Sequence, residues 1–249
     1  MKSKSPNYVH KFSINEESYW IKYGGEPKQG FLKKIINLIY QFTHWDFLAM
    51  NSVLPSEIRF KNELKNLIWL KSMNLPIPDV VDMSSKHFVT KDIGKPLSQF
   101  QPGTYCCSFY DVLMIFHQFH MTQACHGRPA LKDILCNEDG HLFLIDFEES
   151  HIHCSSKLMA RDILLIILES YRVAGLHDYK RFKALLLWKE MTDLHISRDL
   201  LSISRWLTVL IFIPKMVIKF KPKNRLSLQL IKAERLLAKL RQSQSFIEA

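Results

Sequence analysis

The spacing of apolar residues changes along this chain, from a mixed pattern in the first part to a helical pattern in the second. Ser18 to Tyr23, SYWIKY, has the aromatic and β-branched content of a strand. Tyr8 to Ile14 alternates weakly and Phe88-Val89-Thr90 is a short apolar run, so both predict further strands. Phe31 to Phe42 repeats its apolar residues at helical spacing. The first part is therefore predicted to mix strands and helices.

A second helix of the first part is predicted after Pro55. Its apolar stripe runs from Pro55-Ser56-Glu57 to about Ser72, and prolines at 76 and 78 prevent a continuation. Lys91-Asp92-Ile93-Gly94 then forms a crossover. Helices are predicted beyond it at Tyr110 to Thr122, Leu158 to Tyr171, Tyr179 to Met191, Arg198 to Phe212, and Ser227 to Arg241. The expected fold is α+β, with a small mixed lobe at 1–91 and a larger helical lobe at 92–249.

Composition places the chain among globular proteins. It has 249 residues, of which 47% are hydrophobic and 23% charged, and a formal charge of +10. This charge favours acidic partners such as nucleotides, phosphorylated lipids or nucleic acid. The alternative is a basic surface that contacts only solvent. Five cysteines show no CxxC pair, and the basic start is followed by no signal-length apolar run, so we expect a reduced, cytoplasmic environment.

The most hydrophobic segment, Trp206 to Phe220, is interrupted by Pro214 and Lys215 and is shorter than a membrane span. A buried helix is predicted here. The basic residues that follow, Lys219 to Arg225, leave open a peripheral contact with an anionic membrane surface, in a bacterium the inner membrane.

The stretch from His126 to Glu149, HGRPALKDILCNEDGHLFLIDFEE, carries the candidate chemistry. Protein kinases use HRDxxxxN and then DFG, in which the first Asp accepts the substrate proton and the Asn and second Asp hold magnesium. Asp133 and Asp146 flank a turn between two short apolar runs, so a hairpin would bring both carboxylates to one end. Two carboxylates suit Mg²⁺, which completes its shell with water and phosphate oxygens. The alternative is two unrelated surface turns.

Phosphoryl transfer also needs a cation for the phosphates. Lys22, inside SYWIKY, is the candidate, and Glu63 on the following helix is its predicted partner, with Glu57 as second choice. Asp92, in the crossover beside the expected cleft, is a further nucleotide-binding candidate. The alternatives are an edge-strand lysine in water and exposed helix glutamates.

The chain resembles the bacterial lipopolysaccharide-kinase-like proteins (the Kdo kinase and WaaP group) of the protein-kinase-like superfamily. The resemblance is carried by Lys22, Glu63, the LPIPDV turn, HGRPALKDIL and LIDFEE. The resemblance covers approximately residues 18–171. It implies a bilobal fold, ATP and Mg²⁺ as cofactors, Lys22 on the phosphates, and Asp133 and Asp146 on the metal. It also implies that His126 and Asp162 support the catalytic loop.

The chain departs from the kinase pattern at three places. Arg128 replaces the catalytic Asp and cannot act as a base, because a guanidinium stays protonated. Glu148 replaces the Gly of DFG, and no GxGxxG precedes Lys22. Arg128 would instead bind an anionic acceptor or the γ-phosphate.

These departures leave several functions open. The first is a phosphotransferase acting on an acidic sugar, a lipid-linked sugar or a protein hydroxyl, including a serine/threonine kinase. The second is a nucleotide-binding pseudokinase. A nucleic-acid-associated kinase ranks last, because no RNA-recognition motif is present.

Overall fold

The computed structural model describes residues 8–24, 55–100 and 107–245. The helix predicted at Phe31 to Phe42 lies outside these ranges. The described strands are β1 (Val9–Ile14), β2 (Glu17–Tyr23), β3 (Val80–Met83), β4 (His87–Lys91), β5 (Lys95–Pro96), β6 (Ala124–Cys125), β7 (Ile134–Cys136), β8 (Leu142–Leu144) and β9 (His151–Ile152). The described α-helices are α1 (Ser56–Ser72), α2 (Phe109–Met121), α3 (Ser156–Ser170), α4 (Asp178–Met191), α5 (Leu194–Leu210), α6 (Phe212–Phe220) and α7 (Arg225–Ser245).

An antiparallel sheet in the order β1-β2-β4-β3 forms the N-terminal part. Lys22 of β2 lies opposite Phe88 of β4, and Trp20 lies opposite Thr90. Since side chains alternate between the two faces of a strand, these four residues share one face. That face lines a cavity of about 390 Å³.

Helix α1 packs beside this sheet. Its buried residues include Phe60, Glu63, Leu67 and Leu70, which recur at helical spacing. The Phe60 ring stacks on Phe88, with centroids 5.7 Å apart. This packing turns one polar residue of the buried stripe, Glu63, towards the sheet.

The C-terminal part is built around α2 and α3. Ser108 and Asp111 form a capping box at the start of α2, in which the Ser108 side chain accepts a hydrogen bond from the Asp111 backbone. Phe116 of α2, Ile163 of α3 and Trp188 of α4 are fully buried in the main apolar core. Two small sheets have the strand orders β5-β7-β8 and β6-β9. Along the chain, β5 precedes α2, and β6 to β9 lie between α2 and α3.

The mixed architecture with small antiparallel sheets confirms the prediction of helices combined with strands. The helices predicted for the C-terminal part begin and end within about four residues of their predicted positions. The helix predicted at Arg198 to Phe212 ends earlier, at Leu210, and Phe212 begins the next helix. The two-lobe division at residues 91 and 92 stays a prediction. Cysteines 107, 125 and 154 are free thiols, whereas Cys136 is disulfide-bonded, which departs from the expected fully reduced set.

The prediction of one buried helix from Trp206 to Phe220 is wrong. The segment is divided at Ile211, where α5 and α6 meet at a bend of 48°. Pro214 is the one residue of α6 that is buried. The segment is apolar on nearly all sides, so its periodicity does not indicate which residues the neighbouring α7 covers.

Candidate active site

Lys22 lies at the centre of an ion cluster that joins three parts of the chain. Its Nζ is 2.8 Å from Glu63 Oε1, 3.0 Å from Asp146 Oδ1 and 3.0 Å from Glu148 Oε1. Burial acts to lower the pKa of Lys22, but the attraction of the three carboxylates outweighs it and raises that pKa well above its ordinary value. Lys22 therefore stays protonated at neutral pH.

Glu63 is more deeply buried than Lys22. Burial raises the pKa of Glu63 to about 7, although the attraction of Lys22 opposes this. Among the described residues, its second oxygen, Oε2, is buried without a hydrogen-bond partner. Glu57, the second-choice partner, lies exposed in the first turn of α1, so Glu63 is the helix glutamate that holds Lys22.

Glu148 and Arg59 extend the cluster, and the sequence did not single them out as site residues. Arg59 Nη1 donates to Glu148 Oε2 at 3.0 Å, while the other oxygen of Glu148 meets Lys22. Both side chains are buried, and a buried carboxylate needs such cations. The Glu that replaces the Gly of DFG thus ties α1 and β2 to the loop after β8. The burial of Arg59 is set by tertiary packing, so the sequence contained no local signal for its role.

The loop from His126 is held by Asp162 of α3. The backbone N–H groups of His126 and Gly127 donate to the two carboxylate oxygens of Asp162 at 2.6 and 2.9 Å. His126 Nε2 also lies 2.9 Å from the carbonyl oxygen of Ile145. Gly127 has φ of +86°, and a Cβ there would lie 1.9 Å from the carbonyl oxygen of Glu149. These contacts fix the loop against the residues around Asp146.

Asp133 and Asp146 come together at one end of the β7–β8 hairpin. Ile134 pairs with Leu144, and the backbone N–H of Ile145 donates to the carbonyl of Asp133 at 3.0 Å. Asp146 has left-handed backbone angles, φ 66° and ψ 61°, which are uncommon for a non-glycine residue. Strained conformations of this kind cluster at functional sites.

Lys132 is a site residue that the sequence reasoning missed. Its Nζ is 2.6 Å from Asp133 Oδ1 and 3.4 Å from Asp146 Oδ2. Because one ammonium group touches both carboxylates, the same pair can reach one metal cation. Burial raises the pKa of Asp133. Burial lowers the pKa of Lys132, but the contacts with Asp133 and Asp146 outweigh this effect and raise it. The donor set fits Mg²⁺, which binds through one or two carboxylates, water and phosphate.

The cavity of about 390 Å³ connects these groups with an apolar surface. Its charged end carries Lys22, Glu63, Lys132, Asp133 and Asp146. Its apolar walls are formed by Val9, Trp20, Leu67, Pro78, Phe88, Leu135 and Ile145. Small-molecule sites of this size combine such walls with a few convergent polar groups.

Two predicted site residues do not line this cavity. The Asp92 carboxylate binds Lys11, and hydrogen bonds from Lys11 and Trp20 lower its pKa although burial opposes this. Its neighbours Lys91 and Gly94 line the cavity instead. Arg128 is partly exposed and forms no ion pair with another described residue. The structure thus brings Lys22, Glu63, Asp133 and Asp146 together, supported by His126 and Asp162, and leaves Asp92 and Arg128 outside.

No family model matches the sequence. The chain is 27% identical over 182 residues to an uncharacterised protein of Haemophilus influenzae, a match that covers 68% of this chain and 65% of that protein. The co-crystal structure of WbdD and the kinase inhibitor LY294002 superposes with a TM-score of 0.47 and 13% identity, over 94% of this chain and 44% of that one. Both likenesses are distant.

Proposed function

We propose that this protein is an ATP- and Mg²⁺-dependent phosphotransferase of the protein-kinase-like type. The observation that carries the proposal is the ion pair of strand Lys22 with helix Glu63, which meets Asp146 at the charged end of an apolar-walled cavity. Kinases use a strand lysine, a helix glutamate and a loop aspartate in this combination. The lipopolysaccharide-kinase-like resemblance of the sequence supports the same class.

Each residue then has a defined task. Glu63 and Glu148 hold Lys22, whose ammonium group neutralises phosphate charge. Asp133 and Asp146 would hold Mg²⁺, which would supply charge screening for the phosphates and orientation of the transferred group. Lys132 shields the two carboxylates from each other and is placed to contact phosphate. Asp162 and His126 keep the loop in the geometry that this requires, since transfer depends chiefly on positioning and charge neutralisation.

An acidic sugar or lipid-linked sugar is the acceptor class we favour over a protein hydroxyl. Arg128 supplies a partly exposed guanidinium next to the catalytic loop and forms no ion pair with a described residue. A guanidinium suits phosphate or carboxylate on the acceptor. The charge of +10 is compatible with such partners and with work on the cytoplasmic side of a membrane.

A nucleotide-binding pseudokinase is the second candidate. Its support is Arg128 itself, because no carboxylate stands where kinases place the proton acceptor. General-base help is worth about 10² to 10⁴ in rate, so its loss slows transfer without removing charge neutralisation. The two candidates share the nucleotide site and differ in turnover.

The deciding experiment measures MgATP binding by calorimetry and transfer of labelled γ-phosphate to a panel of phosphorylated and neutral sugars and to protein acceptors. Asp146→Asn is the test variant. Asp139→Asn, an exposed aspartate in the turn at the other end of the same hairpin, is the matched control. Binding and transfer that are lost in Asp146→Asn and kept in Asp139→Asn support the phosphotransferase. Binding without transfer to any acceptor supports the pseudokinase, and absence of MgATP binding overturns both.

A further inference from the structure

The bent pair α5–α6 leaves large apolar side chains uncovered. Phe220 is 80% exposed, Phe212 60% and Trp206 55%. No single described helix is long and apolar enough to cross a membrane; α5 and α6 meet that test only together, across their 48° bend. Exposed aromatic groups at this density are more typical of a surface that meets another phase or partner than of a solvated face.

The exposed residues of α6 share one side of the helix. At about 100° per residue, Phe212, Met216 and Phe220 form a stripe, and the buried Pro214 points to the opposite side. Helix α7 packs on α6. Lys215 and Lys219 lie along one edge of the stripe. A helix with an apolar stripe and a lysine edge is suited to lie in the plane of a membrane surface.

The sequence that carries this stripe is basic, although Glu234 of α7 accepts a hydrogen bond from Thr208 of α5 at 2.9 Å. Residues 200–233 contain no Asp or Glu, and their basic residues are Arg205, Lys215, Lys219, Lys221, Lys223, Arg225 and Lys232. Within the part of the chain that the structure describes, Lys215, Lys219 and Lys221 form no ion pair. We call the surface formed by Trp206, Val209, Phe212, Met216 and Phe220 with Lys215, Lys219, Lys221 and Lys223 the apolar-basic face.

We infer that the apolar-basic face docks on an anionic lipid surface. Anionic lipid headgroups attract the lysines, and the aromatic and aliphatic side chains enter the boundary between headgroups and acyl chains. A second copy of the chain is disfavoured, because a two-fold pairing would bring like charges together. A soluble anion is also disfavoured as the ligand, because it would contact the lysines and leave the aromatic stripe exposed to water.

Vesicle co-sedimentation of the full chain tests this inference. We expect binding to vesicles of phosphatidylglycerol and phosphatidylethanolamine, little binding to phosphatidylcholine vesicles, and weaker binding as salt is raised. A blue shift of tryptophan emission should accompany binding and be lost in Trp206→Phe. Circular dichroism checks that every variant folds.

Two sets of variants separate the apolar and basic contributions. Phe212→Ser with Phe220→Ser should weaken vesicle binding by about tenfold or more. Met121→Ser with Tyr179→Ser, residues 67% and 72% exposed on other helices, should leave it unchanged. Each single lysine substitution on the face should weaken vesicle binding by about fivefold: Lys215→Gln, Lys219→Gln or Lys221→Gln. Lys61→Gln, Lys65→Gln and Lys157→Gln, exposed lysines on α1 and α3, are the charge-matched controls.

Three results would overturn the inference. The first is equal binding to anionic and neutral vesicles, and the second is equal effects of the test and control variants. The third is self-association without lipid that Phe212→Ser with Phe220→Ser abolishes, which would assign the face to a second copy. The readout is independent of nucleotide binding, so failure of the proposed phosphotransferase activity leaves this test unaffected.

Discussion

Lys22 Nζ and Glu63 Oε1, 41 residues apart along the chain, form an ion pair 2.8 Å long in the wall of the cavity. Neither side chain reaches this position by local structure alone. Strand pairing sets the face on which Lys22 points, and the packing of Phe60 on Phe88 turns Glu63 towards it. The pair links the stability of the N-terminal part to the charge state of the site.

Replacing Lys22 with methionine should destabilise the protein and remove its phosphate contact. Three carboxylates would lose their shared cation, so we expect the free energy of unfolding to fall by roughly 3 kcal/mol at neutral pH. MgATP affinity should fall by at least about tenfold, because a charge-assisted contact is lost. Urea unfolding and calorimetry measure the two effects. Lys22→Arg keeps the charge and should restore most of the stability; unchanged MgATP affinity in Lys22→Met would exclude Lys22 from the site.

Glu63 should make stability depend on pH between its unfolded and folded pKa values. The pKa rises from 4.5 to about 7 on folding, so the folded state binds the proton more tightly. The contribution of Glu63 is therefore fully present in acid and is lost as the pH rises through about 7. We expect the stability of the wild type relative to Glu63→Gln to decline over this window by up to about 3 kcal/mol. Urea unfolding of both proteins across the window measures this, and a difference that increases with pH contradicts it.

Local signals were sufficient for many secondary elements. The helix predicted from Pro55 to about Ser72 is observed at Ser56–Ser72, because its apolar stripe, its proline start and the later prolines all act within the segment. β4 extends the predicted strand by one residue on each side. β3 was missed, since it is short, mostly exposed and interrupted by a bulge between Val80 and Asp82.

The site was predictable where residue type and order carry the information, and not where distant contacts do. Asp133 and Asp146 follow from the hairpin, whose turn and apolar runs are visible in the sequence. Arg59 and Lys132 were missed, because their contacts with Glu148 and Asp133 depend on tertiary packing and side-chain orientation, which the local sequence pattern does not indicate. Burial of Trp206 to Phe220 was wrongly predicted for the same reason, since hydropathy does not show which side a neighbouring helix covers.

Gly127→Ala should be strongly destabilising, by more than about 3 kcal/mol. The added Cβ would meet the carbonyl oxygen of Glu149 at 1.9 Å, and a φ of +86° is itself unfavourable for alanine. Gly175→Ala is the matched control, because Gly175 has φ of +79° but no atom within 4 Å of the added Cβ. That variant should cost only about 1 kcal/mol, from the backbone conformation alone. Equal losses in the two variants, measured by urea unfolding, would show that the contact with Glu149 does not constrain the loop.

Lys132→Ala should increase the affinity of the nucleotide-free protein for divalent metal. Lys132 contacts both Asp133 and Asp146, so its ammonium group competes with a metal for the same oxygens. Its side chain is largely exposed, and the competition is therefore modest, up to about fivefold in the dissociation constant for Mn²⁺, a substitute for Mg²⁺. Calorimetric Mn²⁺ titration measures this, with Lys132→Arg as the variant that keeps the charge and should not gain affinity. Weaker Mn²⁺ binding in Lys132→Ala would mean that Lys132 organises the two carboxylates for the metal instead of occupying its place.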